Sequence, residues 1–163
     1  MYRLAVLLWL IPQTATAVYA TTYNGGSTNH GSVFEYVGSR FTTIYSFCPP
    51  ASDCQDGEYP AGALVVKSGA IYGTTTLGGS NKSGVLFRLS KVNGKWTERV
   101  LHNFCSWYHC RDGGRPDGTL NILSGGRMVG TTVTGGDFSY GTLWKYSPDV
   151  KTMNVLYDFP APP

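Results

Sequence analysis

Apolar and polar positions along this chain come in short bursts cut every few residues by Gly, Ser, Asn and Pro, the pattern of strands joined by tight turns rather than of helices. In the middle of the chain the pattern predicts strands over residues 62–67, 70–76, 84–90 and 95–104. Between them lie Ser68-Gly69, Gly78-Gly79-Ser80-Asn81 and Asn93-Gly94, and Asn-Gly between two apolar runs is a strong two-residue hairpin signal. Four such strands in sequence make one antiparallel sheet.

The same phrasing occurs three times. Gly73-Thr74-Thr75-Thr76-Leu77-Gly78-Gly79, followed by Ser83-Gly84-Val85-Leu86-Phe87, returns as Gly130-Thr131-Thr132-Val133-Thr134-Gly135-Gly136 and then Tyr140-Gly141-Thr142-Leu143-Trp144. An upstream copy reads Ala20-Thr21-Thr22-Tyr23-Asn24-Gly25-Gly26, then His30-Gly31-Ser32-Val33-Phe34. The period is about 55 residues, which points to a propeller or a related β array. By analogy with the middle copy, the last predicts strands over 118–123, 127–132, 141–146 and 152–159, and the first over 18–23, 32–37 and 41–47 without an opening strand.

Comparison of the copies predicts the packing. Val33, Leu86 and Leu143 are equivalent, as are Phe34, Phe87 and Trp144, while the next position holds Glu35, Arg88 and Lys145. Apolar residues at consecutive positions mean that both faces of each sheet are covered, as in blades sandwiched between neighbours. On the fourth strand Ile44, Leu101 and Leu156 match, as do Phe47, Phe104 and Phe159, with Thr42, Arg99 and Asn154 as polar neighbours, which predicts an outer strand with one wet face. The expected fold is all-β, a propeller-like array of four-stranded antiparallel blades over residues 18–47, 61–104 and 117–159, the first incomplete. A closed propeller needs at least about four blades. Three predict a partial array, an open stack, or a homo-oligomer that completes a ring.

Composition sharpens this picture without changing it. At 163 residues the chain suits one domain, here 18–163, and 21 glycines, 13% aromatic and 14% charged residues favour β structure. A net charge of +3 without a Lys/Arg run gives no reason to expect nucleic acid as a partner. At the N-terminus, Met1-Tyr2-Arg3, the apolar run from Leu4 to Ile11 and the small-x-small triplet Ala15-Thr16-Ala17 fit a secretory signal peptide over residues 1–17. A second reading puts residues 11–22 in ungapped register with 64–75, as the remnant of a repeat strand. No stretch is long and apolar enough to predict a membrane span.

The four cysteines bracket two loops, Cys48 with Cys54 and Cys105 with Cys110, each following a Phe at the same point of the repeat. Three pairings are possible, and the local ones close a short loop within one repeat, as expected of an exported chain. Zinc ligation fits less well, because the spacings lack a short C-x2-C knuckle; no metal and no cofactor is expected.

At these residues the chain resembles a known family. Ile71-Tyr72-Gly73-Thr74-Thr75, Gly78-Gly79, Gly84-Val85-Leu86-Phe87 and Phe104-Cys105 through Cys110, with Asp112-Gly113, Pro116 and Gly118, are similar to the tandem GloVer repeat over nearly all of the chain from Tyr19 to Phe159. The resemblance implies a β-propeller-like fold in a protein exported by bacteria, secreted or at the cell surface. It implies no defined activity. The first copy departs from the pattern in having Ala20 where the others have Gly73 and Gly130.

Candidate chemistry is sparse. The repeated threonines suit pleated strands and backbone hydrogen bonding, and no His recurs beside them to act as a base. Asp56, Asp112 and Asp117 sit in Gly-rich segments where Asp side chains bond locally to turns. Residues 112–118 lack the alternating oxygen donors of an EF-hand loop and read as a turn. Asn81-Lys82-Ser83 fits a glycosylation acceptor. No catalytic residue is singled out. Trp107, Tyr108 and His109, between Cys105 and Cys110, are the candidate binding residues, since exposed aromatic planes suit a sugar ring or a protein partner. The expected function is a non-enzymatic surface, binding or scaffold module with a glycan or surface protein as partner; the alternative is a fragment of a carbohydrate-active propeller protein.

Overall fold

The computed structural model describes residues 16–162. The leader reading falls almost wholly on residues 1–15 and so lies outside the described residues. Among the described residues, twelve strands form three antiparallel sheets. The first sheet has the order β1-β2-β3, from β1 (Val18–Thr22), β2 (Ser32–Val37) and β3 (Arg40–Ser46). The middle sheet is β4-β5-β6-β7, from β4 (Glu58–Lys67), β5 (Ala70–Leu77), β6 (Val85–Val92) and β7 (Lys95–Asn103).

The third sheet contains β8 (Gly114–Pro116), β9 (Asn121–Ile122), β10 (Met128–Thr134), β11 (Thr142–Ser147) and β12 (Thr152–Asp158). Its order is β12-β11-β10-β8, with β9 also on β10. Among the described residues, no helix is long and apolar enough to cross a membrane.

The first two sheets follow chain order, and in the third β8 and β9 both pair with β10, so the connections are local. The turn at Asn93-Gly94 joins Val92 directly to its partner Lys95, with positive φ at both turn residues, as the sequence predicts for a two-residue hairpin. The opening strands differ from expectation. In the middle sheet β4 begins at Glu58 rather than near 62 and slips register between Ala61 and Val65. In the third sheet the corresponding run is broken: of the stretch expected as one strand over 118–123 only β9 is strand, and Gly114–Pro116, expected as a turn, is the strand β8. Gly62, with positive φ at this slip, abuts the Gly118 carbonyl, and an added Cβ would lie 2.6 Å from it. Two backbones meet there, which leaves no room for a side chain at Gly62.

The expectation that sheets are covered on both faces holds for the middle sheet. On β6, Val85, Phe87 and Leu89 join Val33 and Phe47 of the first sheet's side in one buried cluster, with Tyr19, Ile44 and Tyr45 packed against it. Leu86 points the other way, into a second cluster with Phe104, Met128, Trp144 and Tyr146. Strand alternation thus sends successive residues to opposite neighbours.

All three sheets share an irregularity that strand periodicity does not reveal. The last strand bulges by one residue, at Ile44, Leu101 and Leu156 in turn. A bulge puts two consecutive residues on one face, and Ile44 and Tyr45 accordingly pack against the same cluster.

Gly73 and Gly130 are explained by their partners across the strand pair. They face Phe87 and Trp144, and a Cβ would come within 2.6 Å of the Phe87 ring and 2.5 Å of the indole. The threonine hydroxyls bond as expected: Thr75 Oγ1 donates to the Leu77 carbonyl and accepts from the Val85 amide, and Thr132 Oγ1 does the same with Thr134 and Thr142.

Candidate functional site

The site is built on the joint between the middle and third sheets. After β7 the chain buries Phe104, runs through Cys105-Ser106-Trp107, makes a short 3-10 turn over Tyr108–Cys110, and enters β8. The loop is closed by the Cys105–Cys110 disulfide, with the two Cα atoms 4.0 Å apart, and by backbone bonds from the Cys105 amide to the Gly113 carbonyl and from the Cys110 amide to the Trp107 carbonyl. The Cys48–Cys54 loop is bridged likewise, with Cα atoms 4.1 Å apart. Both pairings are the local ones. His30 lies beside Cys48 and Cys54 with its ligand atom within 4.8 Å of theirs, but the two sulfurs are bonded to each other, so the trio offers no thiolate.

A carboxylate, fully buried in one loop and part-buried in the other, fastens each loop to the preceding strand. Asp112 has no exposed surface and accepts from the Ser106 amide at 3.0 Å, the Ser106 hydroxyl at 2.7 Å and the Trp107 amide at 3.1 Å, while its Oδ2 lies 3.0 Å from His102 Nε2. Burial alone would raise this carboxyl, but the bonds from His102, Ser106 and Trp107 prevail and hold it below the ordinary range. Asp56 does the same work one joint earlier, accepting from the Tyr45 hydroxyl at 2.7 Å and the Cys48 amide at 3.1 Å. Both aspartates therefore bond locally to the loop.

The Gly-Gly doublets receive the other side of the loop. The Gly79 amide donates to the Cys54 carbonyl, and the Gly136 amide to the Cys110 carbonyl. Gly78 and Gly135 both have positive φ and press against backbone, so that a Cβ on Gly78 would sit 2.6 Å from Gly57. The phrase that repeats most visibly in the sequence is thus the socket for the disulfide loop of the joint.

Within this frame Trp107 and Tyr108 stand out from the surface, 43% and 80% exposed. They share an open cleft of about 420 Å³ with Arg111, Asp137, Val155 and Asp158. Arg111 grips Asp137 with two bonds, Nε to Oδ1 at 2.6 Å and a terminal nitrogen to Oδ2 at 3.0 Å. The Arg111 guanidinium holds the Asp137 carboxyl below its usual range. Asp158 Oδ1 accepts the Asp137 amide at 2.9 Å.

His109 lies to the other side of Tyr108, stacked on it at 3.9 Å between ring centres, and lines an adjoining depression with Arg111, Gly136 and Ser139. The three candidate binding residues are therefore contiguous, but His109 does not line the cleft that holds Trp107.

Arg111, Asp137 and Asp158 are absent from the sequence-based candidates. A column-by-column comparison of the copies gives their signal. Asp137 and Asp158 occupy the positions of Ser80 and Asn103, where the Ser80 amide donates to Asn103 Oδ1 at 2.8 Å, and of Ser27 and Ser46 in the first copy. The bond is common to all copies, whereas two carboxylates at its ends occur only in the third. The loop-to-hairpin ion pair also recurs with its charges exchanged, as Asp53 with Lys82 at 2.7 Å. The Cys48–Cys54 loop has no aromatic residue, so the cleft is particular to one joint. Asn81 of the possible acceptor triplet is exposed, with its Nδ2 donating to the Phe104 carbonyl at 3.1 Å.

Chemically, the cleft offers two aromatic faces for stacking and an ionised carboxylate and a guanidinium for directional hydrogen bonds. A family model described as the Gloeobacter/Verrucomicrobia repeat matches residues 10–162. No curated protein and no solved structure matches the chain.

Proposed function

The chain belongs to the Gloeobacter/Verrucomicrobia repeat family, and we propose that it acts as an exported, non-enzymatic binding module whose three sheets stack as propeller blades and whose ligand is a glycan. The observation that carries this reading is the cleft of Trp107, Tyr108, Arg111, Asp137 and Asp158. Its volume of about 420 Å³ lies in the range of small-ligand sites. A sugar presents apolar C–H faces to aromatic planes and hydroxyl pairs to fixed charged groups, and the cleft has both. The aromatic residues sit on a loop already held by a disulfide, a buried aspartate and a glycine socket, so binding orders little that is free.

The non-enzymatic part is supported by the state of Asp137, which Arg111 keeps ionised and doubly bonded, a condition suited to accepting hydrogen bonds and unsuited to donating a proton. The two disulfide-bonded pairs support export, since such bridges persist in oxidising compartments. The propeller reading is supported by the middle sheet's two covered faces and by the recurrence of the same joint.

The test is a glycan array of the wild-type chain and a Trp107→Ala, Tyr108→Ala double variant, followed by calorimetric titration of any hit. Both side chains are exposed, so the variant should keep its fold. Loss of at least tenfold in affinity is expected; identical profiles would overturn the reading, and a wild-type chain that captures only protein partners would replace the glycan by a protein.

A further inference from the structure

We infer that the joint between the middle and third sheets holds a second binding site, for a tetrahedral oxyanion, phosphate or sulfate, taken free or as the ester group of a larger molecule. Its residues belong to two facing elements. Across β5, β6 and β7, Tyr72 pairs with Arg88 and Arg88 with Arg99, so the three side chains form one row on a single face of the middle sheet. Leu86, two residues before Arg88 on β6, packs into the cluster shared with the third sheet, so the row is turned towards that sheet. Opposite it stand Tyr146 of β11 and Lys151 of the turn before β12. Tyr72, Arg88, Arg99, Tyr146 and Lys151 line one cleft of about 210 Å³, and none of them lines the cleft of Trp107.

Two independent observations point to an anion there. The first is charge. Arg88 and Arg99 are directly opposite each other across a strand pair, an arrangement of like charges that destabilises a sheet. Among the described residues, the ion pairs involve His30, Lys82, His102 and Arg111, and none involves Arg88, Arg99 or Lys151. Glu98, beside Arg99 in sequence, is turned to the other face, where Asp56 acts on it. Asp149, in the same turn as Lys151, is exposed and joins no ion pair.

The second observation is Tyr146. Its side chain is 3% exposed and lines the cleft, yet among the described residues its hydroxyl makes no hydrogen bond. Burial raises this hydroxyl, with Arg99 opposing the rise, so it keeps its proton and remains a donor. The first joint shows what a self-sufficient row looks like. There the positions of Tyr72, Arg88 and Arg99 are held by Tyr19, Glu35 and Thr42, and the Tyr19 hydroxyl donates to Glu35 at 2.8 Å. At the second joint the acceptor is replaced by an arginine, and the cleft presents donors alone. Two guanidinium forks, an ammonium and a phenolic hydroxyl match the several acceptor oxygens of a doubly charged tetrahedral anion.

The experiment is calorimetric titration of the full chain with sodium phosphate, sodium sulfate and phenyl phosphate at neutral pH and fixed ionic strength. It compares the wild type with an Arg88→Gln, Arg99→Gln double variant and with Tyr146→Phe. Wild-type binding is expected, weakened by about tenfold or more in the double variant and less in Tyr146→Phe, which removes one neutral donor. Without the anion the double variant should unfold at a midpoint no lower than that of the wild type, because the opposed charges are gone, whereas phosphate should raise the midpoint of the wild type alone. A wild-type chain that binds neither phosphate nor sulfate better than chloride overturns the proposal, as does undiminished binding by the double variant. Tighter binding of phenyl phosphate than of phosphate makes the ester the ligand and the reverse order makes it the free anion; either order upholds the site. If the double variant fails to fold, Arg99→Gln with Lys151→Gln, both at exposed positions, takes its place. The Trp107→Ala, Tyr108→Ala variant should bind phosphate as the wild type does, so failure of the glycan reading and failure of this one are separable.

Discussion

Replacing Asp112 by Ala tests the structural reading of the joint most directly. The substitution removes a carboxylate with no exposed surface and four polar partners, the Ser106 amide and hydroxyl, the Trp107 amide and His102. Hydrogen bonds to charged groups contribute about 1.5–3 kcal/mol each, but they are not additive. Ser106 and Trp107 lie at the surface and regain water when the carboxylate goes, whereas His102 is only part-exposed and Phe104 beneath it stays buried. The expected loss is therefore near that of one such bond plus an unfilled space, about 3 kcal/mol. With a denaturant slope of about 2 kcal/mol per molar, the urea midpoint should fall by about 1.5 M.

Asp56→Ala is the internal control. Asp56 is only part-buried and makes fewer bonds, so its replacement should cost about half as much. The pH dependence adds a second readout. Asp112 has its folded value below the ordinary 3.8, so its stabilising effect is present above that value and is lost as pH falls through the lowered one. Asp112→Ala should consequently lose stability less steeply than the wild type in acid. A midpoint shift below about 0.3 M for Asp112→Ala, or a larger one for Asp56→Ala, would refute the assignment of this carboxylate as the fastening of the joint.

Two further outcomes follow from the packing. Burial, and secondarily Asp56, pushes the Glu98 carboxyl up to about 8, and its Oε1 is buried without a hydrogen-bond partner; Asp56 and the raised Tyr45 hydroxyl are the titratable groups acting on this region. The folded state keeps a proton that the unfolded chain releases above about 4.5, so stability is full below that value and falls as pH rises through about 8. Glu98→Gln should flatten this window and be the more stable form at pH 9 by about 2 kcal/mol, after discounting for partial exposure; parallel urea curves for the two proteins between pH 5 and 9 would refute it. Gly73→Ala drives a Cβ to 2.6 Å from the Phe87 ring and 2.7 Å from Leu64, and should lower stability by about 1–3 kcal/mol in the same assay. Unchanged stability there would mean that the ring is free to move away.

The fold class was legible because it depends on local signals that recur. Consecutive apolar residues such as Leu86 and Phe87 predict two covered faces, and they lie in two different clusters. Asn93-Gly94 predicts its hairpin because both residues tolerate positive φ. The opening strand of the third sheet was misread over 118–123 because its course is set by a nonlocal contact, the approach of Gly118 to Gly62 of the preceding sheet, which leaves no periodic trace. The shared bulge was hidden for a similar reason, since one extra residue in Ile44, Leu101 and Leu156 shows only when strands are paired. At the candidate site, Trp107, Tyr108 and His109 could be picked out as aromatics between cysteines. Arg111, Asp137 and Asp158 come from three separate segments and each alone resembles an ordinary surface charge; only the alignment of the copies sets the two aspartates apart, as carboxylates where the others have Ser80 with Asn103 and Ser27 with Ser46.

The disulfide loop carries more of the design than its length suggests. Each loop holds the end of one sheet through Tyr45 or His102 and its aspartate, and the hairpin of the next through the Gly-Gly amide. The same backbone that joins the two sheets therefore positions whatever side chains the loop displays. In the first joint that display is Pro49-Pro50-Ala51-Ser52-Asp53, and in the second it is Ser106-Trp107-Tyr108-His109. Since the fastening atoms of the second loop lie in backbone amides, the Ser106 hydroxyl, the aspartate and the cysteines, residues 107–109 are free to differ without altering the joint. A change of ligand would thus require substitutions only at positions 107–109 and at the facing Asp137 and Asp158, whereas a change at Ser106, Asp112 or Gly135 would disturb packing and display together.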